Sequence, residues 1–171
     1  MHIRLPATKV ITKKMYQIDK FDLRIVDLLM KDGRMSSAEI SRYVGDISER
    51  AVRYRIHRMT NEGLIKISAI PDPKSFGFNV VADIFIEVET GQINTVAEQL
   101  LVYKQISYVA CSIGEKDISA QVVVRNTDEV YKFVTDVIGK IPGVRKTTTS
   151  IVPIVLKDVY EWRIPDSILE E

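Results

Sequence analysis

The stretch that decides the fold of the N-terminal part of the chain is SERAVRYRIHRMTNEG, residues 48–63. At 100° per residue, Val52, Ile56 and Met59 form one apolar stripe, as in a helix that packs one face on a core. Ser48 is a favourable N-cap, and Gly63 is a favourable C-terminal stop. The stretch therefore predicts an amphipathic helix that docks through this stripe.

The face opposite the stripe is basic. Together with its borders it holds four arginines, a tyrosine and a histidine: Arg50, Arg53, Tyr54, Arg55, His57 and Arg58. Within residues 48–63, Glu49 is the only acidic residue before Glu62. Like charges so close together repel one another unless an anion meets them, and a guanidinium fork binds phosphates and guanine edges bidentately. The face favours contact with nucleic acid, and a solvated surface helix is the alternative interpretation.

Two more helices are predicted ahead of this one. The first covers about 19–31 and ends at the glycine signal of Gly33. The second opens at Ser36, which fits a capping box with Glu39. Only residues 45–47 separate it from the third helix, and two helices joined by a short turn with glycine are the helix-turn-helix pattern. Their apolar positions are Phe21, Ile25, Leu28 and Leu29 in the first helix and Ala38, Ile40, Tyr43 and Val44 in the second.

The composition is that of a globular protein. With 46% apolar and 27% charged residues among 171, disorder is not expected. No stretch approaches the roughly 18 apolar residues of a membrane helix, and the N-terminus lacks the apolar run of a secretory signal. We therefore expect a cytoplasmic protein without membrane contact. Cys111 has no neighbouring Cys or His, so we expect a packed small side chain, no metal site and no cofactor.

Charge is unevenly distributed along the chain. Residues 1–65 contain 13 Lys+Arg and 8 Asp+Glu, a net +5, whereas residues 66–171 contain 11 and 15, a net −4. This asymmetry is typical of a polyanion-binding module joined to a part that need not touch the polyanion. The first residues form a basic arm that carries Arg4, Lys9, Lys13 and Lys14.

The pattern changes after Gly63. Residues 66–70 alternate between polar and apolar, and Pro71 and Pro73 then mark a domain boundary. Beyond it the sequence predicts a β-α-β-β-α-β order, which is a ferredoxin-like sandwich. The expected strands are 80–89, 107–113, 118–125 and 144–156, the helices are 93–103 and 127–141, and the hairpin turn is 114–117. Some strands are apolar on both faces, which favours burial of the second face in a homodimer.

The fold class is therefore α+β: an N-terminal (winged) helix-turn-helix followed by a ferredoxin-like βαββαβ domain. Residues 18–65, IDKFDLRIVDLLMKDGRMSSAEISRYVGDISERAVRYRIHRMTNEGLI, resemble the N-terminal domain of the Lrp/AsnC family of transcription regulators. The downstream part resembles the effector-binding and oligomerisation module of that family. The matching landmarks there are Asp72, Pro73, Gly77, the turn 114–117, the run Ile141, Pro142, Gly143 and Val144, and the pair Thr147 and Thr149.

The sequence pattern and the resemblance together divide the chain into five parts. They are a basic arm at 1–18, a helix-turn-helix DNA-binding domain at 19–65, a linker at 66–78, a ferredoxin-like effector and oligomerisation domain at 79–157 and a C-terminal tail at 158–171. The resemblance also implies a homodimer that reads a pseudo-palindromic operator in double-stranded DNA, and family members often assemble further to octamers. The expected DNA-binding residues are Ser48, Glu49, Arg50, Arg53, Tyr54, Arg55, His57 and Arg58.

Members of the family often respond to an amino acid bound between dimers near the hairpin turn. Carried over to this chain, the effector-binding residues are Gly114, Glu115, Lys116, Asp117, Thr147 and Thr149. The family turn is commonly Gly-Asp-aromatic-Asp, and here Glu115 and Lys116 replace the middle pair. The cation of Lys116 favours a ligand with an acidic group. A plain hairpin turn without a ligand is the alternative interpretation.

Two other functions are compatible with parts of the pattern. An architectural DNA-compacting protein would use the same helix and arm but with little sequence preference. Related two-domain proteins decarboxylate sirohaem with His and Arg residues of the second domain. This chain has no His beyond His57, so we do not expect an enzyme.

Overall fold

The computed structural model describes residues 16–165, which form two compact units. The first unit runs to Ala69 and also takes in the C-terminal segment from Val159, and the second unit is Ile70–Asp158. Most of the predicted basic arm, including Arg4 and Lys9, lies outside the described residues. Within the segment expected to be a linker, Pro73–Phe76 form a 3₁₀ turn that is capped by the Asp72 carboxylate.

The first unit is built on three helices whose ends follow the capping signals of the sequence. They are α1 Lys20–Lys31, α2 Ser37–Val44 and α3 Glu49–Asn61. The Ser36 hydroxyl accepts the Glu39 N–H, and the Glu39 carboxylate accepts the Ser36 N–H at 2.9 Å, so the predicted capping box is confirmed. The Ser48 hydroxyl accepts the Ala51 N–H at 3.2 Å, which confirms the predicted cap of α3.

The apolar stripe of α3 packs as predicted, because Val52 and Met59 are buried. They share the core with residues of both preceding helices: Ile25, Val26, Ile40 and Val44. The expectation that Tyr43 belongs to this core is wrong, since its side chain is 68% exposed on the last turn of α2. From the other end of the unit, Ile164 of the C-terminal segment packs against the same core.

The turn between α2 and α3 is tightly specified. Gly45 has φ 69° and Asp46 has φ 52°, both in the left-handed region. Aspartate is one of the few side-chain-bearing residues found there with any frequency. The Ser41 hydroxyl donates to the Ile47 carbonyl at 2.6 Å and ties α2 to the entry of α3. The direction of α3 is therefore set by both local backbone and a side-chain hydrogen bond.

The alternation at residues 66–70 does not produce a strand. Within the described part of the chain, the segment between Gly63 and Asp72 pairs with no other strand, so no wing is formed there. The physical reason is that alternation makes a strand possible, but a strand needs a partner for its N–H and C=O groups.

The second unit has the predicted β-α-β-β-α-β order. Its elements are β1 Val80–Val88, α4 Ile93–Leu100, β2 Ile106–Cys111, β3 Ile118–Val124, α5 Thr127–Lys132 and β4 Val144–Val152. The sheet is antiparallel with the order β2-β3-β1-β4. It is shorter than expected at β4, which ends before Pro153, a residue with no N–H to donate. The helix predicted to reach 141 leaves α geometry after Lys132.

The register of β1 decides which face of the sheet is the core. Ala82, Ile84, Ile86 and Val88 are buried with side chains of α4 and α5, whereas the intervening residues, Val81, Asp83, Phe85 and Glu87, lie on the other face and are partly exposed. Cys111 lies on the edge strand β2 and is exposed, so the expectation of a packed side chain is wrong. No helix among the described residues is long and apolar enough to cross a membrane.

Candidate nucleic-acid interface and effector turn

The outward face of α3 is exposed over its whole length. All of its predicted DNA-binding side chains other than Arg55 lie there: Ser48, Glu49, Arg50, Arg53, Tyr54, His57 and Arg58. Tyr54 is 62% exposed despite its large ring. A helix that presents a tyrosine and arginines to solvent at its N-terminal end has the surface needed to enter a major groove.

The arginines of this face differ in what they already bind. Within residues 16–165, Arg50 has no carboxylate within 4.0 Å of its guanidinium. Arg53 forms an exposed ion pair with Glu49 one turn earlier. Arg58 stacks over the Tyr16 ring at 4.5 Å. Arg50 is thus the arginine whose charge is most available to an external anion.

Arg55, one of the predicted DNA-binding residues, is placed differently from the others. Its Nη1 lies 2.8 Å from Oδ1 of Asp22 and 2.8 Å from Oδ2 of Asp19. Asp22 is 1% exposed, so the pair is an internal one. The helical wheel places Arg55 at the border of the basic face. In the structure its guanidinium turns inward, because the carboxylates of Asp22 in α1 and of Asp19, the N-cap of α1, lie on that side. Arg55 therefore stabilises the fold that holds α3.

The environment of this internal cluster shifts the pKa values of Tyr16 and Asp19. Burial, helped by a hydrogen bond from its hydroxyl to Asp22, raises the pKa of Tyr16 to about 12. Partial burial acts to raise the pKa of Asp19, but the Asp22 backbone N–H and the Arg55 guanidinium outweigh it and hold that pKa below its ordinary value. Tyr16, at the end of the predicted arm, is thus fixed beside α1 and α3. Sequence reasoning missed this anchor because a single tyrosine in a basic segment carries no periodic signal.

The predicted effector turn lies at one end of the sheet. Gly114 has φ 142°, and the hairpin closes where the Ser112 N–H donates to the Asp117 carbonyl at 2.8 Å. The Asp117 carboxylate in turn accepts the Val88 N–H at 2.8 Å, which ties the turn to the end of β1. Glu115 is exposed. Lys116 folds back onto β1, where its Nζ lies 2.6 Å from the Glu87 carboxylate.

The two predicted threonines come to this end of the sheet from the opposite side of β1. Thr147 pairs with Ile86, whose other neighbour is Ile118 immediately after the turn. Thr147 and the turn therefore lie on the two sides of the same part of β1. Two strand spacings, about 10 Å, separate the backbone of Thr147 from the strand that leaves the turn. Thr149 pairs with Ile84, which lies two residues further along β1 from the turn.

Two cations that the sequence did not single out join the turn. Arg145 and Lys146, at the start of β4, each have a side-chain nitrogen 3.7 Å from the Glu87 carboxylate. Their position beside Glu87 follows from the pairing of β4 with β1, which the sequence alone does not show. Together with Lys116 they place three cations around one acid.

Other candidate sites are weaker. A cleft of about 590 Å³, lined by Phe76, Phe78 and Arg125 among others, lies toward the opposite end of β3 and contains none of the predicted effector residues. In the part of the chain that the structure describes, no group of three His, Cys, Asp or Glu side chains is arranged to hold a metal ion.

Both units match models of known protein families. Residues 18–60 match the AsnC-type helix-turn-helix domain. Residues 73–164 match an AsnC-type regulator domain described as a C-terminal dimeric alpha+beta barrel domain. The first match lies within the first compact unit, and the second covers most of the second unit and continues into the C-terminal segment.

Related proteins match nearly the whole chain. An HTH-type transcriptional regulator of Pyrococcus abyssi is 37% identical over 153 residues, which cover 89% of this chain and 96% of the relative. The HTH-type transcriptional regulator FL11 of Pyrococcus furiosus is 34% identical over 145 residues, 84% and 95% of the two chains.

Solved structures share the fold at lower identity. AsnC of E. coli superposes with a TM-score of 0.77 at 23% identity, covering 85% of this chain and 99% of the other. A transcriptional regulator of Neisseria meningitidis in complex with L-Met superposes with a TM-score of 0.75 at 21% identity, covering 83% and 94%.

Proposed function

Because the chain belongs to the Lrp/AsnC family of HTH-type transcriptional regulators, we propose that it binds DNA sequence-specifically and is modulated by an amino acid or related small molecule bound at the interface between dimers. The dimers read a pseudo-palindromic operator and assemble further to octamers. The observation that carries the DNA part is the outward face of α3, where Arg50 has no carboxylate to compete for its guanidinium in the described part of the chain.

The geometry of α3 supports direct readout by its first turns. Arg50 and Tyr54 are one turn apart on the exposed face and follow the capped N-terminus at Ser48, the end of a recognition helix that meets base edges. Arg53, Arg58 and His57 lie beside them and suit phosphate contacts, which position the helix without reading sequence. Arg55 acts indirectly, because its ion pairs with α1 hold the helix in place.

The effector part is supported by the polar groups gathered at one end of the sheet. The turn 114–117 and Thr147 flank the end of β1, and a structural relative of the same fold was solved in complex with L-Met. An amino acid needs partners for a carboxylate and an ammonium group, and this end of the sheet offers both signs of charge.

Selection of bound sequences from random DNA tests the proposal. We expect the wild-type chain to enrich a motif of two symmetric half-sites. Arg50→Ala should relax the preference at one position of each half-site, a loss of about 1–3 kcal/mol of discrimination there. Arg24→Ala, an exposed arginine of α1 in the same unit, is the matched control and should keep the wild-type motif.

The same selection separates the proposal from its alternatives. An unchanged motif for Arg50→Ala contradicts the role of that arginine. Weak enrichment with no consensus favours an architectural DNA-compacting protein. Repeating the selection with a panel of amino acids tests modulation, and identical affinity in all of them contradicts the effector part.

A further inference from the structure

The end of the sheet beside the turn contains an unbalanced charge cluster. Its members, here called the Glu87 cluster, are Glu87, Lys116, Arg145 and Lys146. Within the described residues, Glu87 is the only carboxylate within 4.0 Å of any of the three cations. In direct contact, one acid therefore serves three bases, which leaves these cations with capacity to bind a further anion.

A β-bulge explains how two consecutive residues of β4 reach the same carboxylate. The register with β1 runs Glu87 to Lys146 and then Val88 to Val144, so Arg145 is the extra residue. In a regular strand, neighbouring side chains point to opposite faces. A bulge re-aims one of them, and such bulges are frequent next to functional sites. The bulge therefore places the Arg145 guanidinium on the same side of the sheet as the ammonium groups of Lys116 and Lys146.

Two nearby acids make no direct contact with these cations. The Asp117 carboxylate is engaged by the Val88 N–H, and Glu115 is exposed on the turn. Neither forms an ion pair with the three cations within residues 16–165. The hydrogen bond from Lys116 holds the pKa of Glu87 below its ordinary value, so this acid stays ionised. Arg145 and Lys146 lie farther from it, each with a side-chain nitrogen 3.7 Å from its carboxylate.

We propose that the Glu87 cluster selects a dicarboxylic amino acid as the effector, with Lys116, Arg145 and Lys146 binding its carboxylates and Glu87 its ammonium group. This inference rests on the proposed effector function and names its ligand class. A dicarboxylic amino acid offers two carboxylates to the three cations, one more than a neutral amino acid offers, while its ammonium group can pair with Glu87. A basic amino acid adds a positive charge to a site that already holds three cations.

Direct binding measurements test the ligand class. Titration calorimetry of the full chain with L-glutamate and L-aspartate is compared with their uncharged isosteres L-glutamine and L-asparagine, and with L-lysine. We expect the acidic amino acid to bind at least about tenfold more tightly than its amide, because a charge-assisted contact is about twice as strong as a neutral one. Equal binding of an amide, or tighter binding of L-lysine, overturns the proposal.

A matched pair of lysine variants locates the site. Lys146 and Lys140 are both about two-thirds exposed and both pair with one acid of the second unit, but Lys140 pairs with Asp136 outside the cluster. Lys146→Gln should weaken binding of the acidic amino acid about tenfold, and Lys140→Gln should leave it unchanged. If the two variants lose affinity equally, the effect is general charge and the site is not the Glu87 cluster.

The two proposals fail in different ways. Calorimetry is performed without DNA, so it reports the ligand class whatever the operator is. Binding of L-glutamine in preference to L-glutamate with a change in operator affinity overturns the dicarboxylic ligand and leaves the effector function standing. Binding of L-glutamate with no change in operator affinity keeps the ligand class and contradicts effector modulation.

Discussion

The chain has two ion-pair clusters of opposite balance. In the first unit one guanidinium, that of Arg55, meets two carboxylates, and one of them, Asp22, is almost completely buried. In the second unit one carboxylate, that of Glu87, meets three cations, two of which are more than half exposed. The cation of the first cluster is fully engaged by two carboxylates, whereas the three cations of the second share one carboxylate and can bind a further anion.

The difference shows how the same chemistry serves the fold in one place and a candidate ligand site in another. A buried pair is costly to break, because the remaining charge is left unsolvated. An exposed pair contributes little to stability, because water solvates either partner alone. Burial and stoichiometry, rather than the presence of a salt bridge, therefore separate the Arg55 cluster, formed by Arg55, Asp19 and Asp22, from the Glu87 cluster.

The largest expected effect is on the stability of the first unit. Arg55→Ala leaves the buried Asp22 carboxylate without its cation and should lower the free energy of unfolding by about 3 kcal/mol. Arg53→Ala is the matched control on the same helix, because its exposed pair with Glu49 is worth only about 0.3–0.5 kcal/mol. Denaturant unfolding followed by circular dichroism measures both. Similar losses in the two variants contradict the internal role of Arg55.

A smaller effect is expected at acid pH. The pKa of folded Asp19 lies below its ordinary value of 3.8, so the stabilisation that its ionised form provides is complete above about pH 4–5 and is lost as the pH falls through the lowered pKa. Asp19→Asn keeps a residue that caps helices well but cannot ionise. The difference in unfolding free energy between wild type and Asp19→Asn should therefore shrink as the pH is lowered from 5 to 2. A constant difference over that range means that Asp19 does not titrate with folding.

The contrast between the two clusters also separates what sequence can predict from what it cannot. The helices and their caps depend on residues three or four apart, so Ser36 with Glu39, and Ser48 with Ala51, were legible. The direction of Arg55 depends on Asp22, which lies 33 residues earlier. No periodicity within α3 reveals such a partner.

The same limit applies to the effector end of the sheet. The turn 114–117 has a local signal, and the resemblance to a family pointed to Thr147 and Thr149. Arg145 and Lys146 were not predicted, because their approach to Glu87 depends on the β1–β4 register and on one bulge. A shift of one residue in the pairing reverses which side chains share a face. The composition of the strand is the same in either register.

The smallest expected effect is the sharpest test of the comparison. Glu87→Gln removes the only acid of the Glu87 cluster, yet the three cations are at least partly exposed and water can solvate them. The unfolding free energy should change by no more than about 1 kcal/mol, and added salt should reduce that change because exposed charges are screened. The loss from Arg55→Ala should respond less to salt, since buried pairs are screened much less. Unfolding of both variants at about 0.05 and 0.5 M NaCl measures the two responses. A Glu87→Gln loss as large as that of Arg55→Ala, and as insensitive to salt, would make the Glu87 cluster a structural element like its counterpart and remove the charge argument for a ligand there.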